Sequence, residues 1–383
     1  MSDSANETVK NAVKSLSDMK DDTVTMAASI VAIMILLIAL LAYMYVSGTF
    51  FSDGLNVRNC KNMDEMFGTL NGKIISIDAT NELYQYSLRD YYIKSAYNAC
   101  SGGNYKNGYV NTCILKDLLK QGVRGLDFEV YSIDDQPVVA SSTSESYCVK
   151  ETFNSVPFSE VLNIIRDYAF ANSTAPNQLD PIILHLRIKS SNTEMYDNFA
   201  KLLEGYDSML MGKQYSFENQ AKNFGAVKLS DTAGKVVIIV DRSNLAFLES
   251  EAFYEYVNMT SNSIFMRALH YYDIINAPDM VELINYNKLN MTIGMPDKGT
   301  DPDNPSSITM RTYGVQMLAM RYQVVDTNLE ENDMFFNDAG RAFVLKPEKL
   351  RYVPETMPDP VVQDPTVSFA TREVKTDFYQ FEI

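Results

Sequence analysis

The sequence predicts an α/β protein with a largely parallel sheet, placed behind one N-terminal membrane-spanning helix. Two observations carry this. Residues 24–46 (VTMAASIVAIMILLIALLAYMYV) are apolar and uncharged; at 1.5 Å per residue they reach about 35 Å, enough to cross a bilayer with some tilt. From about residue 66 to 352, short apolar runs alternate with amphipathic stretches of helical period. Strands joined by crossover helices give that pattern.

Taken in order, residues 1–22 are a polar tail expected to be mobile, 23–47 the membrane helix, and 48–65 a stalk. A cleaved signal would have a shorter apolar core and a small-x-small cleavage site, and a buried soluble helix would need protein on every side. The polar leader and the late aromatics Tyr43, Tyr45, Phe50 and Phe51 point to a retained anchor. Lys10, Lys14 and Lys20 precede the helix and only Arg58 and Lys61 closely follow it, so the N-terminus is expected inside and the large domain on the lumenal or exterior side. Strands are expected at 74–78, 91–95, 125–131, 137–140, 182–188, 235–241, 317–325 and 341–345. Helices are expected at 113–121, 158–168 (Leu162, Ile165 and Tyr168 on one face) and 193–210. Residues 295–308, rich in Pro, Asp and Gly, read as a loop, and 353–383, opening on prolines, as an extended C-terminal arm. Periodicity alone does not separate a closed barrel from an open sheet.

The chain has 383 residues, enough for one large domain or two small ones. Its 33 basic and 49 acidic residues leave a formal charge of −16. Such a surface repels nucleic acid and offers no general attraction to anionic headgroups. Nucleic acid is not an expected partner; the lipid bilayer, through residues 24–46, is, with other membrane or capsid proteins expected beside it. All four cysteines (Cys60, Cys100, Cys113, Cys148) follow the anchor, without a metal-site spacing. Disulfides among them and four buried thiols both remain open. Asn172, Asn258 and Asn290 begin sequons, triplets that also arise by chance.

The stretches 91–100 (YYIKSAYNAC) and 122–142 (GVRGLDFEVYSIDDQPVVASS) resemble the active-site strands of phosphoinositide-specific phospholipase C. Tyr313-Gly314-Val315-Gln316 and the closing Val344-Leu345-Lys346-Pro347 are similar to that family's second half, so the resemblance runs over roughly 88–351. It implies a TIM-like (β/α) barrel of the phospholipase C-like phosphodiesterase type at 66–352. The resemblance also assigns positions. The family cleaves a phosphodiester with two histidines, and its eukaryotic members hold Ca²⁺ with an asparagine and three carboxylates. Here Tyr97 and Ser141 stand at the histidine positions. Tyrosine, with a pKa near 10, is a poor base at neutral pH, and a serine without an adjacent base moves protons poorly. The calcium-ligand positions carry Asn98, Asp127, Glu129 and Arg187. Asp127 and Glu129 alternate on one strand face, and the cation of Arg187 counts against Ca²⁺.

No cofactor and no catalytic residue are therefore expected. Asn98 and Arg187 remain as candidates for an anionic ligand, since bacterial relatives use an arginine in place of the metal. His185 is the one candidate for a relocated acid–base group, against the reading of a satisfied core histidine; His270 reads as structural or surface. The expected function is a membrane-anchored pseudoenzyme used as a structural or interaction module. The composition (24 Tyr, 20 Met, no Trp) resembles that of proteins from large double-stranded DNA viruses, which extends the expectation to a minor capsid or membrane component of a virus particle. The alternatives are a phosphoric diester hydrolase with relocated groups and a non-catalytic module for an anionic ligand or glycan.

Overall fold

The computed structural model describes residues 2–46, 52–144, 146, 148–216, 223–354 and 370–383. The strands are β1 (Tyr91–Ala96), β2 (Gly125–Ile133), β3 (Gln136–Ala140), β4 (Val156–Pro157), β5 (Ile182–Ile188), β6 (Val236–Asp241), β7 (Met259–Ser261), β8 (Met266–His270), β9 (Met291–Met295), β10 (Met317–Met320) and β11 (Phe343–Leu345). Eight of them pair in parallel in the order β7-β6-β5-β2-β1-β10-β9-β8, an α/β barrel of TIM type that is nearly closed. The seam lies between β7 and β8. Only residues 262–265 join these two, and a parallel crossover needs about a dozen residues or more, so no ladder closes there. Three short antiparallel pieces decorate the barrel: β3 pairs with β2, β4 with β3, and β11 with β1.

The period-2 alternation sorts the strand side chains. On β5, Leu184 and Leu186 join the layer under the helices, while Ile183 joins the lumen. Ile93, Val237, Ile293 and Met317 fill the lumen with it. On β2, Leu126, Phe128 and Val130 face the helices, which turns Asp127 and Glu129 to the other side. At Gly125 a side chain has no room: a Cβ there would meet Ser95 Oγ at 2.1 Å.

The helices carry their own stop and start signals. Asn111 caps α3 (Thr112–Lys120), accepting from Cys113 N, and Asn192 caps α5 (Thr193–Glu204), accepting from Glu194 N. Three expected elements change in extent. The helix expected at 193–210 stops at Gly205, followed by a separate turn at Asp207–Met209. The helix expected at 158–168, α4, is α-helical only over Phe158–Ile164 and continues as a π turn, Ile165–Ala169. The strand expected at 317–325 ends at Met320. Residues 74–78 make no ladder; they run extended, held by Ile75 N to Gly340 O and Ile77 N to Asp180 Oδ1. In the closing motif Lys346 is buried, and its Nζ donates to Asn287 O and Gly314 O. Burial drives its pKa down to about 7 against the pull of Asp90.

The N-terminal segments differ most from expectation. The tail at 1–22 is continuous with the membrane segment as one helix, α1 (Ser2–Val46). Its apolar part, Thr23–Met44, is long enough to cross a membrane and none of it is buried. The expected stalk contains a helix, α2 (Ser52–Phe67). Its Met63 is buried in the core, and Cys60 is disulfide-bonded to Cys113 of α3. Cys100 is a buried thiol and Cys148 an exposed one. Residues 352–383 form a separate unit. Residues 355–369 of the expected arm lie outside the described residues, and Glu373–Lys375 pairs antiparallel with Gln380–Glu382, so this end is a hairpin and not simply extended.

Candidate functional site

The register of β2 and β5 builds the centre of the site. Asp127 lies opposite His185 and Glu129 opposite Arg187, which brings all four side chains to one face near the strands' carboxyl ends. Asn98 joins them from just beyond β1. Its φ of +45° is in the left-handed region, which asparagine tolerates better than most residues. The structure thus gathers Asn98, Asp127, Glu129, His185 and Arg187, all buried.

Arg187 forks into this cluster. Its Nε donates to Asp127 Oδ1 at 3.0 Å, Nη2 to Asp127 Oδ2 at 2.7 Å and to Asn98 Oδ1 at 3.0 Å, and Nη1 to Glu129 Oε1 at 2.8 Å. Asp127 also accepts from Asn98 N at 3.2 Å. Glu129 Oε2 accepts from the Tyr131 hydroxyl, from Ser142 N and from Ser142 Oγ at 2.7, 2.8 and 3.1 Å. Burial raises the Asp127 carboxyl, but Arg187 and His185 outweigh it and hold the group at about 2. Tyr131, buried beside Glu129, is pushed up.

His185 is locked from both sides. Nδ1 lies 2.7 Å from Asp127 Oδ1 and Nε2 2.8 Å from Ser261 Oγ. An ionised Asp127 only accepts, so Nδ1 carries the proton, and in the neutral ring Nε2 accepts from the Ser261 hydroxyl. The result is a buried Asp127–His185–Ser261 chain. Ser261, Tyr131 and Ser142 had no signal in the sequence; Ser261 sits on β7, a strand too short for periodicity to find.

The two histidine positions of the resemblance are closed. The guanidinium of Arg187 lies 4.6 Å from the centroid of the Tyr97 ring, and Tyr97 packs edge-on against Tyr105 at 5.6 Å. Ser141 is buried and its Oγ has no hydrogen-bond partner. Over them runs the loop after β9. Arg321, fully buried, donates to Tyr105 Oη at 2.9 Å, to Asp301 Oδ1 at 2.7 Å and to Pro302 O, and Tyr105 N donates to Thr300 O. The space among Tyr97, Tyr105, 142–144 and 297–299 admits no water-sized group. A cavity of about 480 Å³ opens beside the cluster, lined in part by Arg187, Lys189, Asp241, Ser243, Asn244 and Cys148. His270 is apart from all this; its Nδ1 bonds Pro296 O.

The positions that would hold Ca²⁺ do not fit it. A guanidinium fills the space between the two carboxylates, and every carboxylate oxygen there already accepts from a protein donor. Among the described residues no group of three or more His, Cys, Asp and Glu side chains is placed to hold a metal ion.

Two family models match. One, "Phosphatidylinositol-specific phospholipase C, X domain", covers residues 84–242, and the other, "Phosphatidylinositol-specific phospholipase C, Y domain", covers 239–349. Among solved structures, PLC21 of L. pealei superposes with a TM-score of 0.57 at 19% identity over 72% of this chain. PLC21 of S. officinalis gives 0.55 at 18% identity over 73%. The chain spans 39% of each of those proteins. None of the curated proteins matches the sequence.

Proposed function

The chain belongs to the phosphatidylinositol-specific phospholipase C-like family of X/Y barrels, and from that premise we propose that it has exchanged the family's phosphodiester cleavage for a structural or protein-interaction role at a membrane. One observation carries the reading: the Arg187 guanidinium occupies the acid cluster that would otherwise do chemistry. Proton transfer needs a group of suitable pKa within reach of the reacting atoms. Tyr97 is stacked on Arg187, Ser141 is sealed, and His185 spends both nitrogens inside the barrel. Ligand binding through Arg187 meets a similar obstacle, since all three of its nitrogens already donate to protein oxygens, whereas the buried Asn98 Nδ2 has no hydrogen-bond partner.

A second reading, a phosphoric diester hydrolase with relocated groups, has its own support. The family models match both halves of the barrel, a stronger warrant for activity than for a purely structural role. The Asp127–His185–Ser261 chain is also the kind of oriented relay that activates a hydroxyl. The test is hydrolysis of phosphatidylinositol by the full chain, with and without Ca²⁺, beside a Tyr97→His, Ser141→His, Arg187→Glu triple variant. A silent parent is expected, and any turnover gained by a variant shown to fold would mark a decayed site on a kept scaffold. Parent turnover abolished by His185→Ala would establish the second reading instead.

The proposal places the barrel on the lumenal or exterior side. The lysine bias ahead of the apolar helix supports this, and so does the Cys60–Cys113 bond, since disulfides persist in oxidising compartments. Cys148 is the exposed thiol, so a membrane-impermeant maleimide admitted only to the cytosolic face should label a Lys10→Cys variant there and leave Cys148 unlabelled; the opposite pattern would reverse the orientation. Membership of a virus particle, as a minor capsid or membrane component, rests on composition and is tested by copurification with particle membranes.

A further inference from the structure

The N-terminal half of α1 reads as a polar tail by composition, yet it is helical from Ser2. Its sequence is poor in strong helix formers: Ser, Asp, Asn, Thr and Val dominate residues 2–18. A free helix of this length and composition is marginal in water, so a partner along its apolar stripe would stabilise it. The pattern along it is a heptad. With Ser2 at position a, the a positions carry Val9, Leu16, Thr23, Ile30, Leu37 and Met44, and the d positions carry Ala5, Ala12, Met19, Met26, Ile33 and Leu40. The charged residues Asp3, Glu7, Lys10, Lys14, Asp18 and Asp21 all fall at b, c or f, with Lys20 and Asp22 at the flanks. Val9, Ile30, Ile33, Leu37 and Leu40 are exposed.

From this stripe we infer that the part of α1 ahead of the membrane pairs with the same part of α1 in a second copy of this chain as a parallel, in-register coiled coil. The 3.5-residue spacing is the one that keeps a seam facing a partner helix. The membrane span sets the partner's direction: every copy enters the bilayer with the same end first and at the same depth, so a meets a and d meets d. The barrel of the same chain is no alternative occupant, because the bilayer separates it from residues 2–22. Electrostatics permit the pair. In a parallel dimer a g position faces the next e position of the partner, which sets Thr8 against Val13 and Ser15 against Lys20, with no like charges opposed.

The test is disulfide cross-linking of the full chain in lipid vesicles, in a Cys148→Ser background that removes the exposed native thiol. Single Val9→Cys and Leu16→Cys variants should cross-link severalfold more than Lys10→Cys and Lys14→Cys. Equal yields at all four sites, or none at any, would overturn the inference. A Val9→Glu/Leu16→Glu chain, with the barrel's thermal unfolding as a check on folding, should fall from two copies to one in detergent; a persistent dimer would also overturn it. The inference rests on the membrane span, which carbonate extraction reads separately. A chain released by carbonate but still cross-linked through Val9 and Leu16 would remove the span and leave the pair.

Discussion

Replacing Arg187 with alanine is expected to destabilise the barrel by about 3–5 kcal/mol, the cost of stripping a buried ion pair of one partner. Asp127 and Glu129 are buried and their main cation is this guanidinium. Removing all three charges together, as Arg187→Met with Asp127→Asn and Glu129→Gln, should cost far less, because no charge is left uncompensated. A loss as large in the triple variant as in Arg187→Ala would mean that packing, not charge, carries the effect. Acid gives the second signature. The Asp127 pKa is lowered to about 2 in the fold against about 3.9 unfolded. Its contribution is complete above pH ~4 and is lost as pH falls towards 2. In Arg187→Ala the Asp127 carboxylate is buried without its main cation, so burial raises its pKa and stability is regained on acidification. The gap between parent and variant, read from denaturant unfolding, should therefore narrow below pH ~4.

The same physics explains what could be read beforehand. β2 and β5 alternate charged or polar with large apolar residues (Asp127, Glu129, His185 and Arg187 against Leu126, Phe128, Leu184 and Leu186), so both the strands and their shared lumenal face were visible. The convergence of Asn98, Asp127, Glu129 and Arg187 followed from the family resemblance laid over that alternation. β7, β8 and β9 were not visible. β7 has three residues, and β9 (Met-Thr-Ile-Gly-Met) has a glycine and two methionines where β-branched residues would mark a strand. Since Ser261 lies on β7, the partner of His185 was lost with the strand. The clamp of Arg321 on Tyr105 and Asp301 joins segments 216 and 20 residues apart, and no local pattern announces it. Residues 74–78 read as a strand because they are apolar, but they meet a helix end and Asp180 instead of a neighbouring strand. Composition alone makes residues 1–22 read as a mobile tail, while the spacing of Val9, Leu16 and their neighbours is that of a helix.

Breaking the Cys60–Cys113 bond is the other large effect expected. It closes a loop of sequence separation 53, and chain-entropy estimates for such a loop give about 4 kcal/mol at 25 °C. The position of the loop decides whether that figure reaches the barrel. β1 lies inside it, and β1 pairs with β2, β10 and β11, so the unfolded segment that the bond restrains includes a central strand. Non-covalent contacts also hold α2: Met63 is buried, Phe67 packs edge-on against Tyr322 at 5.6 Å, Gln121 Nε2 donates to Phe67 O at 2.9 Å, Asn111 Nδ2 donates to Asn56 Oδ1 at 3.2 Å, and Lys120 reaches Asp64 at 3.5 Å. Cys60→Ser with Cys113→Ser should therefore lower the unfolding free energy by about 4 kcal/mol and expose α2 to protease, while Cys148→Ser should change neither. A loss under about 1 kcal/mol, with α2 cut just as fast, would mean that α2 leaves the barrel before β1 does and that the bond holds only the approach to the membrane.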